Sequence, residues 1–246
     1  MSNPVIERAI GEYAMNSVQN TEVTVRPLTL DAIVQKTVIA ALFLATAAAA
    51  GWLYAPNLGF GAVIVLAITG LVLGLVNTFR KKVSALGAIS YAVVQGLFVG
   101  VISFNLDSMY PGIARQAFLG ASVTFGTILF LYATRLIKAG PRFMKILQYS
   151  IISYAVFALI SFGTAIFGLN DGWGLYGGSM GLLFAGLGVV LATLSLVADF
   201  SAIEQSVSMG VDENQSWRLA FGLIVTFVWL YIELLRLLAL LARSND

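Results

Sequence analysis

From Leu182 the chain reads LLFAGLGVVLATLSLVA, reaching Ala198 without a charge, and then meets Asp199. A helix that crosses about 30 Å of hydrocarbon needs about 20 mostly apolar residues. This stretch therefore reads as a transmembrane helix, and outward from it six more segments of the same kind appear. The seven predicted spans are Thr37–Tyr54, Leu58–Thr78, Val83–Leu106, Ile113–Thr134, Ile146–Leu169, Leu175–Ala198 and Leu219–Ala242. The breaks between them carry turn chemistry: Ala55-Pro56-Asn57, Tyr110-Pro111-Gly112, Ala139-Gly140-Pro141 and Asn170-Asp171-Gly172. The apolar runs are continuous rather than alternating, which argues against a β-barrel.

Composition agrees. Of 246 residues, 59% are apolar and 11% charged, with a mean hydropathy of +0.90. A soluble fold of this size must turn much of its surface to water and has no place for so much apolar area. Residues 1–33 are polar, lack the apolar core of a signal peptide and read as a retained tail. Residues 34–246 read as one seven-helix domain, with no soluble domain between spans.

Lys and Arg orient the bundle. Arg8, Arg26 and Lys36 precede or open span one. Arg80, Lys81 and Lys82 follow span two; Arg135, Lys138, Arg142 and Lys145 follow span four; Arg218 follows span six. With seven spans all of these share one side, leaving Arg115, Arg236 and Arg243 on the other. The N-terminus is accordingly predicted cytoplasmic and the C-terminus outside.

The chain has no Cys and no His. It therefore lacks a thiolate nucleophile, a Cys- or His-built metal site, and the usual near-neutral proton switch. A net charge of +2 implies no nucleic-acid partner. Gly177-Gly178-Ser179-Met180-Gly181 matches the nucleophile-elbow pattern, but without a His base it reads as a Gly-rich helix start. For a Ser–Lys pair, Lys36, at the cytoplasmic end of span one, is the only candidate lysine. Asn214-Gln215-Ser216 matches a glycosylation sequon on the predicted cytoplasmic side and is discounted. No enzyme activity, cofactor or bound metal is expected. Gly70/Gly74, Gly96/Gly100 and Gly177/Gly181 have the four-residue spacing of close helix packing within the chain.

The charged groups in or near the spans are the candidate functional residues, because a charge near hydrocarbon costs a few kcal/mol or more. Asp199 is read as ending span six, with no cation within one turn. Glu204 follows on a continuing turn. Glu233 and Arg236 are three apart and can pair along one helix. Arg80 ends span two at the same membrane face as Asp199, so an ion pair between them is geometrically allowed.

Three stretches resemble the Bax inhibitor-1 family, in its bacterial branch: Tyr91-Ala-Val-Val-Gln-Gly96 in span three, Asp199-Phe-Ser-Ala-Ile203 at span six, and Trp229-Leu-Tyr-Ile-Glu-Leu-Leu-Arg236-Leu-Leu in span seven. The resemblance covers roughly residues 30–242. It implies an all-α membrane protein whose last helix is central, and a pH-regulated calcium leak channel of the bacterial inner (plasma) membrane, with calcium as the permeant ion. It further implies that Asp199 is the pH sensor and gate and Arg80 its latch. The family's second aspartate falls at Thr226, so this chain departs from the two-carboxylate pattern. Glu233 lies seven residues beyond Thr226 on the same helix face, about 10 Å further along the axis. Thr226, Glu233 and Glu204 are the remaining pore-lining candidates. The rival reading is a non-conducting protein that modulates a membrane protease or other membrane partner through its tail and the Gly210–Trp217 loop. A proton-coupled transporter would need an inverted repeat, and none is evident.

The Lys/Arg asymmetry sets the first test. A reporter active only outside the membrane should work when fused after Asp246 and fail when fused after Lys138; the opposite pattern overturns the orientation.

Overall fold

The computed structural model describes residues 26–80, 83–137, 139–167, 175 and 180–245. Within them are seven long helices: α1 (Leu30–Tyr54), α2 (Phe60–Phe79), α3 (Ala85–Met109), α4 (Ile113–Ala133), α5 (Pro141–Ile166), α6 (Gly181–Ser208) and α7 (Ser216–Asn245). All seven are long and apolar enough to cross a membrane.

The ends follow local chemistry. Thr29 Oγ1 accepts from Ala32 N–H at 3.2 Å and starts α1, and Ser84 Oγ accepts from Gly87 N–H at 3.1 Å and starts α3. Pro141 opens α5, where its missing N–H removes no helical bond. Between α3 and α4, Gly112 takes a φ of +93°, and Asp107 Oδ1 accepts from the backbone N–H of Gly112 and of Ala114, each at 3.0 Å. The Asn170-Asp171-Gly172 break lies outside the described residues, as do Gly177–Ser179, Arg8, Lys81, Lys82 and Lys138.

Several helix bounds differ from the predicted spans: α5 begins at Pro141, not Ile146, and α6 at Gly181, not Leu175. Helix α1 begins at Leu30, not Thr37. Helix α6 does not end at Asp199; it continues to Ser208. Hydropathy falls after Asp199, but Ser201–Ser208 contains no helix breaker. Ser206 Oγ donates to the Ala202 carbonyl at 2.7 Å, satisfying its hydroxyl on the helix itself.

Helix α7 packs against α1, α3, α4 and α6 and carries a large share of the core, including Leu223, Ile224, Val228, Leu230 and Leu235. The last helix is thus central. Helix α2 packs chiefly on α3, and α5 chiefly on α6. The Gly70 and Gly74 positions meet Gln95 and Tyr91 of α3. Gly96 and Gly100 of α3 meet the α1 backbone at Leu44, Ala48 and Trp52, while Gly51 of α1 sits where a Cβ would come 2.5 Å from the Leu97 carbonyl oxygen. Helices α1 and α3 therefore touch backbone to backbone, the close approach that small residues permit in lipid. The first two glycine pairs are intrachain packing devices.

At the basic end, Arg26–Leu28 is tied to the α6–α7 connection. Pro27 bridges Asp212, Leu28 N–H donates to the Val211 carbonyl at 2.8 Å, and Glu213 N–H donates to the Arg26 carbonyl at 2.9 Å. Leu28 is buried in the core.

The α1–α3 contact predicts a contrast. Gly100→Ala inserts a Cβ into the α1 backbone and should destabilise by about 1–3 kcal/mol or more. Gly126→Ala enters open space and should be neutral or stabilising by up to about 1 kcal/mol. Thermal unfolding in detergent compares the two; equal midpoints would show that α1 and α3 do not approach so closely.

Candidate functional site

Two polar clusters lie along α7. The first centres on Asp199, two turns inside the end of α6. Burial there follows from helix packing: its neighbours Leu196, Val197, Phe200 and Ile203 all belong to the core. Its carboxyl points at α7. Thr226, 6% exposed, faces it as a hydrogen-bonding neighbour, and a Cβ on Gly222, one turn earlier, would come 3.9 Å from Asp199 Oδ1. Asp199 Oδ2 is buried with no hydrogen-bond partner. A buried carboxylate oxygen without a donor is costly, because desolvation is not compensated. An unmet acceptor in a helix–helix seam is a place for a proton or a cation.

Arg80 does not complete this site in the present conformation. It is the exposed C-cap of α2 and forms no ion pair with Asp199. What anchors the end of α2 is Asn77, 2% exposed, whose Nδ2 donates to the Gly87 carbonyl at 3.0 Å. Glu204 also lies away from the seam: its Oε2 accepts from Tyr132 Oη of α4 at 2.5 Å.

The second cluster is deeper. Glu233 is 3% exposed, and it pairs with Arg236 on the same helix. Trp229 Nε1 donates to Glu233 Oε1 at 3.0 Å, and Tyr154 Oη donates to Oε2 at 2.9 Å. Arg236 also donates to Tyr154 Oη at 2.8 Å. Gly188 of α6 makes the room, since a Cβ there would overlap both the Glu233 carboxylate and the Tyr154 hydroxyl. Sequence spacing identifies the Glu233–Arg236 pair. It does not identify Tyr154, on α5, or Gly188, on α6. A tyrosine within a largely apolar span is the signal for the former.

Lys36, considered above for a Ser–Lys pair, donates to Ser216 Oγ and stands 5.8 Å from the Trp217 ring centre. Ser216 is fully buried and donates to the Glu213 carbonyl, a role at the start of α7. Among the described residues no group of three or more His, Cys, Asp or Glu side chains is placed to hold a metal ion.

A family model described as Bax inhibitor 1 like matches residues 3–243. Two uncharacterized transporters, from Bordetella parapertussis and Bordetella bronchiseptica, are each 27% identical over 190 residues, covering 68% of this chain and 29% of theirs. The chain thus spans less than a third of the length of those relatives. Together with the seven apolar helices, these likenesses support a multi-pass integral protein of the bacterial inner membrane.

The second cluster makes a stability prediction. Removing Glu233 or Arg236 alone strands its partner and should cost roughly 3–5 kcal/mol, whereas the double replacement Glu233→Gln with Arg236→Met should cost less than the sum. Tyr154→Phe removes one hydrogen-bond partner from each and should cost about 1–3 kcal/mol. Unfolding of the four variants in detergent checks this; strict additivity would mean that the pair is not coupled.

Proposed function

Because this chain belongs to the Bax inhibitor 1 like family, we propose that it is a pH-regulated calcium leak channel gated at Asp199, where α6 meets α7. The observation that carries the reading is the half-buried Asp199 carboxyl turned toward the central helix, with its Oδ2 buried and unmet. In a chain without His, a carboxyl at such a seam is the group able to convert pH into a change of charge at membrane depth. Ionised, it offers calcium an oxygen ligand of the type the ion prefers. Protonated, it offers none and can donate a hydrogen bond across the seam.

Thr226 stands where a second carboxyl would complete a pair. One titrating group gives a shallow response, with an apparent proton number near one. The Glu233–Arg236–Tyr154 cluster lies further along the same helix and neutralises itself, so it serves as a fixed polar constriction and not as the sensor. Arg80, exposed beside this end of the bundle, is the cation available to engage Asp199 in another conformation.

Calcium flux into liposomes containing the purified protein tests the reading. The wild type should conduct with a shallow pH dependence, and Asp199→Asn should flatten it. Thr226→Asp should steepen it, because two close carboxyls titrate as a coupled pair. Absence of flux would favour the non-conducting interaction protein, and a wild-type pH profile in Asp199→Asn would place the sensor elsewhere.

A further inference from the structure

On the side of α6 facing α4 lies a polar cavity of about 300 Å³, apart from the α6–α7 seam. It is lined by Tyr132 and Arg135 at the end of α4 and by Ser201, Glu204 and Gln205 on α6. We propose that this cavity binds a phosphoethanolamine group, with the phosphate on Arg135 and the ammonium on Glu204.

The charges decide the ligand class. Among the described residues the cavity lining holds one guanidinium, Arg135, and one carboxylate, Glu204. A simple anion would meet Glu204 and a simple cation would meet Arg135. A zwitterion satisfies both. Glu204 is already oriented: Tyr132 Oη donates to its Oε2 at 2.5 Å, leaving Oε1 for an N–H donor. Ser201 braces the wall, its Oγ accepting from Gln205 Nε2 at 3.3 Å. The Arg135 guanidinium has no ion-pair or hydrogen-bond partner among the described residues. Its backbone has a φ of +58°, a conformation that costs a non-glycine residue energy and that clusters at ligand sites. Arg is also the side chain best shaped for phosphate.

The location decides the source. Helix α4 ends at Ala133, so Arg135 lies at the level where the spans leave hydrocarbon. The next residue, Leu136, is 72% exposed, and Phe130, five residues before Arg135, is 64% exposed. Headgroup polarity and acyl-chain contact thus meet at one place, which favours a membrane phospholipid over a soluble phosphoethanolamine compound.

The test uses the full chain in detergent micelles and native mass spectrometry. Phosphatidylethanolamine, phosphatidylcholine and phosphatidylglycerol of identical acyl chains are titrated separately. The wild type should hold the ethanolamine lipid about tenfold or more tightly than the choline lipid, whose quaternary nitrogen has no N–H to donate. The glycerol lipid, an anion without an ammonium, should also bind more weakly. Glu204→Gln keeps an acceptor for Tyr132 and should bring the ethanolamine and choline lipids to within about twofold of each other. Arg135→Asn tolerates the left-handed backbone and should weaken both by about tenfold. Glycerophosphoethanolamine at matched concentration should fail to displace the lipid; displacement would support the same chemistry with a soluble source. A wild type that does not distinguish ethanolamine from choline, or a preference that survives both substitutions, overturns the proposal. Neither result depends on calcium conduction.

Discussion

Hydrocarbon offers no partner to a polar atom, and that constraint organises this molecule. Each charged or hydrogen-bonding side chain at membrane depth must find its partner inside the bundle. Here the partners converge on α7. Asp199 looks across at Thr226, Tyr231 shares a hydrogen bond of 2.7 Å with Ser103, and Glu233 collects Trp229, Tyr154 and Arg236. The outer surfaces of α1, α2, α4 and α5 carry exposed Leu, Val, Ile and Phe, which suits contact with lipid. A central helix with polar side chains turned inward is the common consequence.

The two clusters on α7 differ in kind. In the Glu233 cluster both signs of charge are present: carboxylate and guanidinium are paired, and tyrosine and indole supply further hydrogen bonds. Removing one partner of such a group strands the other, because its charges compensate one another. The Asp199 site is open, with one carboxylate oxygen unmet. An open acceptor in a seam between packed helices is poorly compensated in the conformation described. The Arg26–Leu28 tie to Val211–Glu213 holds the connection between the same two helices, so the seam is fastened at its basic end and polar at its middle.

The α1–α3 contact shows how composition becomes geometry. Glycines at 51, 96 and 100, with Ala47 and Ala48, let two helices meet at backbone distance. Four-residue glycine spacing is common in apolar segments, so the pattern alone does not say which neighbour it serves. Facing small residues on α1 resolve that, and they can be recognised only once the two helices are side by side.

Much of the fold was legible because the bilayer imposes a length on every spanning helix: apolar runs and their Pro- and Gly-rich breaks located all seven. The sequence by itself also determined the absence of His and Cys chemistry, the Lys/Arg asymmetry, and the family resemblance through Asp199 and Arg236. It placed the end of α6 too early, since hydropathy drops at Asp199 while helical propensity does not. Tertiary structure alone decided what each polar group faces. The seam opposite Asp199, the Tyr154 hydroxyl on Glu233, the space left by Gly188 and the cavity that Arg135 and Glu204 both line all join residues far apart in the chain. Apolar length is a local property that a sequence states outright, whereas a polar contact is set by the rotation and depth of two helices against each other, which only their packing fixes.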